Sequence, residues 1–219
     1  MRHELNVLVA AIGVVLAAGL SPEAAGAVVI PEPGTVSLRV RTYTQVTSKR
    51  DVRTARRTAS AILERAGIRV DWVECGPAAA GEEGAADACT GPLGRNELVV
   101  RLVPAGTAGG GSHPHSLGFA FVDPDAGGGW LATVYADRVG QMAQAAGVGA
   151  AELLGRAIAH EIGHLLIGSN QHAPSGLMRA SWSGADLRRN RATEWLFGRN
   201  EGETMRRQIA GRPGSPAAE

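Results

Sequence analysis

His160, Glu161 and His164 are the residues whose types and spacing could do chemistry. Histidines four residues apart on an α-helix project from one face, about 40° apart, so both rings can reach one metal ion. At about 100° per residue, Leu154, Ile158, Ile162 and Leu165 fall roughly opposite, giving one face that packs and one that coordinates. Glu161 lies between the two faces. It is badly placed to join the histidines as a ligand and well placed to reach a water on the metal, the position of a general base. Gly168 suits the left-handed turn that stops a helix, and His172 comes four residues later, able to swing back to the metal as a third ligand. Met178 closes the turn sequence Ser175-Gly176-Leu177-Met178.

On His160, Glu161, His164, Gly168, His172 and Met178 the chain resembles the metzincin zinc endopeptidases, whose signature joins an H-E-x-x-H helix to a glycine turn, a third histidine and a methionine turn. One departure stands out: the family pattern has two residues in each gap around the glycine, and here each gap has three. The resemblance implies Zn2+ held by His160, His164 and His172, with Met178 as an apolar floor beneath them. It implies water activated by the metal, with Glu161 taking its proton and handing it to the departing amine. The rival third ligand is Glu194, as in thermolysin-like enzymes, but Arg188, Arg189 and Arg191 around it suit a surface salt bridge. His172 lies eight positions after His164, and at about 3.3 Å for each extended residue the chain between them can reverse direction and return.

These residues need a frame. A chain of 219 residues suits one domain, 28–219, with enough apolar content for a core. Net charge is +1, with scattered Arg and a single Lys, so there is no basic stripe for nucleic acid. Residues 1–27 read as a signal peptide: Arg2, an apolar run from Leu5 to Leu20, and Ala25-Gly26-Ala27 as the cleavage site, so that the mature chain starts at Val28 in a secreted or periplasmic location. An uncleaved anchor is the alternative for this segment; nothing later is apolar for long enough to span a membrane, and a monomer is expected. Cys75 and Cys89 bracket a Gly/Ala/Glu-rich stretch and are expected to pair as a disulfide in an oxidising compartment, two free thiols being the alternative.

Alternation predicts strands over Val36–Thr44, Ile68–Glu74, Glu97–Val103, Leu117–Asp123 and Leu131–Asp137. Ser48 and Asp51 open an amphipathic helix that Gly67 ends, making a crossover between parallel strands; its Arg53, Arg56 and Arg57 read as a solvated outer face. The metal helix is placed at Ala150–Ile167 with Gly149 as its cap, led into by Ala-rich sequence from Gln141. Ser183 and Asp186 open a helix through Leu187, Trp195 and Leu196; a shorter one is expected around Met205 and Ile209, and a disordered tail runs from Gly211.

The fold expected is therefore α+β or α/β: a mostly parallel sheet of about five strands, a crossover helix, the zinc helix and a carboxy-terminal helix, and the metzincin resemblance implies that the sheet is mixed, with an antiparallel edge strand. This order is that of the metzincin catalytic domain, and the resemblance implies that a peptide docks beside the edge strand at Leu117, Gly118, Phe119 and Ala120. His113 and His115, with Asp123 and Asp125, could bind a second metal; a polar glycine-rich loop is the preferred reading. Only Val28 to Gly34 separates the signal from the first strand, leaving no propeptide to keep a protease latent. The functions compatible with these residues are a secreted zinc endopeptidase acting on peptides or proteins, a zinc-stabilised binding protein with the same fold, and an amide hydrolase acting on cell-wall material.

Overall fold

The computed structural model describes residues 34–45, 48–76, 85–106, 115–123 and 125–212. The expected signal peptide, the tail from 213 onward and His113 lie outside them. Five strands form one sheet: β1 (Val36–Thr44), β2 (Ile68–Cys75), β3 (Glu97–Val103), β4 (Gly118–Asp123) and β5 (Gly128–Tyr135). Their order is β2-β1-β3-β5-β4, all parallel except β4, which runs antiparallel along β5 at the sheet edge. These are the five strands the alternation predicts, with the antiparallel edge that the resemblance implies.

Helix α1 (Lys49–Arg65) makes the crossover from β1 to β2. Ser48 caps it by accepting from the Asp51 backbone N–H at 3.2 Å, and Val52, Ala55, Ala59, Ile62 and Leu63 form its buried stripe. Arg53 and Arg57 are exposed as expected, but Arg56 is not part of a solvated face. It reaches across to Glu74 at 3.5 Å and is largely shielded. A short helix, α2 (Ala85–Thr90), lies inside the cysteine-bracketed segment, whose composition reads only as a loop. That segment is tied down by the Cys75–Cys89 disulfide, by the Tyr43 hydroxyl donating to Cys89 O at 2.8 Å, and by Arg41, which donates to Gly91 O, Pro92 O and the buried Glu97 carboxylate.

The last strand and the segment after it differ from expectation. β5 begins at Gly128, three residues before Leu131, because Gly128 and Gly129 pair with Asp123 and Val122 across a tight turn in which the Asp123 carboxylate accepts from the Asp125 and Ala126 backbone. It ends at Tyr135, opposite Val103, and Ala136 and Asp137 open a separate helix, α3 (Ala136–Ala146), stopped by Gly147 at φ 67°. The Ala-rich stretch is thus a helix of its own, ahead of α4 (Ala150–Ile167), whose bounds and Gly149 and Gly168 caps are those expected. α5 (Gly184–Arg189) starts in a full capping box at Ser183 and stops at Asn190, φ 46°, so Trp195 lies in a separate 3-10 turn (Ala192–Trp195) and Leu196 beyond it. The final helix is α6 (Arg199–Gly211). Gly211 is helical and Arg212 is buried, stacked over Trp130 and donating to Gly129 O, so the described chain stays anchored past the expected start of the tail.

α4 is the centre of the packing: it lies against α1, α3, α6, β4 and β5. Leu153, Leu154, Ile158, Ile162, Leu165 and Leu166 join Leu38, Val40, Leu98, Val100 and Val134 of the sheet in one core. The helix is buried all round from Leu153 to Leu166, the histidine side included. Among the described residues no helix is long and apolar enough to cross a membrane.

Candidate metal centre and active site

α4 presents His160 and His164 one turn apart, and neighbouring loops orient both rings. His160 Nδ1 lies 2.9 Å from Leu177 O, and His164 Nδ1 lies 2.8 Å from Ser169 O. A carbonyl oxygen can only accept, so each Nδ1 carries the proton and each neutral ring keeps a bare lone pair on Nε2. The two Nε2 atoms face each other at 3.0 Å. Burial disfavours the imidazolium form of both, pushing His160 down to about 3 and lowering His164, so neither Nε2 gains a proton to bridge the gap near neutrality. Two lone pairs aimed at one another repel; a cation between them turns that repulsion into coordination.

His172 completes the group. Its ring lies 5.4 Å from His160 and 4.9 Å from His164 between centroids, and the three side chains bring one ligand atom each to within 4.8 Å of one another. They can hold a metal ion, and they are the one such cluster of three or more metal-capable side chains among the described residues. Three backbone features accommodate the wider turn. Gly168 stops α4 at φ 75°, Ser169 supplies the carbonyl for His164 while its hydroxyl accepts from Gln171 N at 3.1 Å, and Ala173 N donates to Met178 O at 2.9 Å. Glu194 is outside this cluster; its nearest cation is Arg191, at 3.9 Å.

Glu161 is 6% exposed and lines the same cavity, of about 670 Å³. Desolvation pushes its carboxyl up to about 8. Space for it is left by Gly118: a Cβ there would lie 2.8 Å from Glu161 Oε1 and 2.6 Å from Thr133 O. Leu117, Gly118, Phe119 and Ala120 all line the cavity, three of them on β4 and Leu117 just before it. Met178 is 1% exposed and packs under α4 against Gly163, where an added Cβ would fall 2.6 Å from its sulfur and 2.7 Å from the Phe197 ring. His115 reaches the cavity wall, whereas Asp123 caps its own turn and Asp125 is exposed, so neither aspartate joins His115 in a cluster.

Several site features escape a reading of the sequence. The carbonyls of Leu177 and Ser169 that fix the imidazoles carry no side-chain signature. Trp182, edge-on to His160 at 5.6 Å, and Arg179 line the cavity from beyond Met178. Gly163 does carry a signal: glycine in mid-helix costs about 1 kcal/mol against alanine, so its presence there calls for a packing reason.

No family model matches the sequence, and no curated protein does. Among solved structures, the chain is similar to an archaemetzincin from Methanopyrus kandleri, at 18% identity and a TM-score of 0.45, over 83% of this chain and 99% of that one. It is similar also to a zinc-dependent peptidase from Methanocorpusculum labreanum (strain Z), at 19% identity and a TM-score of 0.45, over 78% of this chain and 99% of that one.

Proposed function

We propose that this chain is an exported zinc-dependent endopeptidase. The observation that carries the reading is the pair of carbonyl-anchored imidazoles whose bare Nε2 atoms converge at 3.0 Å, with His172 beside them and a buried carboxyl one residue along the helix. His160, His164 and His172 would hold the ion, and three imidazoles suit zinc with a position left open. Bound there, zinc would supply Lewis acidity to a water and to a peptide carbonyl.

The remaining steps belong to the chain. A Glu161 carboxylate oxygen takes a proton from the attacking water and returns it to the leaving amine, a role favoured by a carboxyl whose pKa lies near the working pH. A nearby dication pulls that carboxyl toward its ionised form, opposing the desolvation that raises it. Ala120 on the free edge of β4 offers its backbone groups to an extended peptide, Phe119 turning its own toward Thr133 of β5, and Met178 forms the apolar floor under the histidines. Export rests on residues 1–27 and fits the Cys75–Cys89 disulfide, which persists in oxidising compartments.

The test is zinc content and peptide hydrolysis in the wild type and Glu161→Gln. The variant should keep about one zinc per chain and lose activity by several orders of magnitude. Normal cleavage by Glu161→Gln, or a wild type that binds no zinc, refutes the assignment.

A further inference from the structure

Beyond the histidines, the cavity wall carries an arginine that has no paired carboxylate among the described residues. Arg179 lines the cavity, and its backbone is fixed one residue past Met178 by a bridge to Ala173 on the loop that carries His172. Its guanidinium lies over the Trp195 ring at 5.0 Å, and Arg156 stacks on the same ring at 4.1 Å. Among the described residues, Arg179 Nε and Nη2 and the Trp182 indole Nε1 have no hydrogen-bond partner and are shielded from solvent, so an acceptor in the cavity meets them once these side chains turn toward it. Among the described residues no carboxylate stands within 4.0 Å of Arg179. Asp186 is near enough to feel its charge, but its oxygens are taken by Ser183 and Arg189.

An arginine in a cavity wall with no carboxylate paired to it leaves its charge to an anionic ligand, and the guanidinium offers the planar fork that fits a carboxylate. We propose that Arg179, with Trp182 beside it, recognises a carboxylate on the peptide in the cleft, so that the preferred ligands carry an acidic side chain or a free C-terminal carboxylate close to the bond over the histidines. What is cut rests on the peptidase reading; what is bound does not. The charge is fixed by the chain itself: among the described residues of the wall, Arg179 and His115 are the basic side chains outside the histidine triad, and Glu161 is the one carboxyl.

The experiment uses the full chain carrying Glu161→Gln, so that bound peptide is not cut, and calorimetric titration with blocked peptides of one neutral sequence. One peptide has a central Glu, the second Gln there, and the third Gln with a free C-terminal carboxylate in place of the amide. At least one carboxylate peptide should bind about tenfold or more tighter than the neutral one. Adding Arg179→Gln should bring that ratio to about one, while Arg179→Lys, which keeps the charge and loses the fork, should retain part of it. The winning peptide tells side-chain from chain-end recognition. Equal affinity for all three peptides, no measurable binding of any, or a preference that survives Arg179→Gln overturns the proposal. Hydrolysis by the Glu161-containing chain is measured separately. Equal cleavage of acidic and neutral peptides overturns carboxylate recognition and leaves the peptidase reading standing; acid-selective binding without any cleavage does the reverse.

Discussion

Replacing Glu161 by Gln should stabilise the metal-free protein while abolishing its activity, and the gain should depend on pH in a defined way. Glu161 is raised from 4.5 to about 8 by desolvation, so the folded chain holds this proton more tightly than the unfolded one. By linkage, stability is full below about pH 4.5 and is lost as pH rises to about 8. At about 1.36 kcal/mol per unit, burying this carboxyl costs about 3 kcal/mol at pH 7, where the folded chain still holds the proton the unfolded chain releases, and about 5 kcal/mol above pH 8. Gln has the same shape and does not ionise. In urea denaturation with chelator present, the variant and wild type should therefore match near pH 4.5 and diverge by about 3 kcal/mol at pH 7. His160, lowered to about 3, destabilises both proteins below pH 6.5 and cancels in the difference. With zinc restored the gap should narrow, because the cation favours the carboxylate. A difference that stays flat from pH 5 to 8 would show that Glu161 titrates normally and would refute the desolvated site.

Chelator competition should show His164→Ala losing zinc binding and activity together, His172→Ala losing much of its zinc affinity, and Glu194→Ala binding zinc like the wild type; tight binding by His172→Ala with a large loss in Glu194→Ala would move the third ligand. Two glycine substitutions should have opposite signs. Gly163→Ala puts a Cβ 2.6 Å from the Met178 sulfur and should cost about 1–3 kcal/mol, whereas Gly140→Ala, in the middle of α3 with nothing within 4 Å, should gain up to about 1 kcal/mol; urea midpoints measure both. Removing the disulfide by Cys75→Ala with Cys89→Ala, a separation of 14 residues, should lower stability by about 3 kcal/mol in the same assay and leave zinc content unchanged.

The elements legible in the sequence are those where one local signal dominates. The 3.6-residue pattern and glycine caps of α4 set its bounds, and alternation places β1 and β3 to the residue. The misplaced boundaries lie where tertiary contacts override the local signal. Gly128 and Gly129 read as a breaker, yet they are strand residues because Phe121 O approaches too closely to admit a Cβ at 129. Ala136 and Asp137 continue an alternating run, but the sheet ends with Tyr135 opposite Val103 and the Asp137 carboxylate accepts from Ala105 N, which turns the chain into α3. Asn190 breaks the helix after Ser183 by taking a left-handed conformation that asparagine tolerates better than most residues, a choice that no periodicity marks. In the site, side-chain chemistry is legible and backbone chemistry is not: the three histidines and Glu161 stand out by type and spacing, while the carbonyls of Leu177 and Ser169 exist only once the loops are folded.

Those carbonyls bear on how metal and fold depend on each other. In a site assembled by its metal, ligand rings take their orientation from the ion, and the chain loosens without it. Here His160 and His164 sit on a helix buried from Leu153 to Leu166, and each ring is already oriented by a hydrogen bond from Nδ1 to a loop carbonyl. The unfavourable features of the metal-free site, facing lone pairs and a desolvated carboxyl, are held in place by the core around α4 rather than by the ion. The metal-free chain should therefore keep its fold, with near-native circular dichroism and cooperative unfolding in chelator. Zinc should raise the unfolding midpoint with its concentration, as expected for a ligand that binds the folded state alone. A chain that lost its tertiary structure on chelation would show that zinc, and not the α4 core, holds the histidines together.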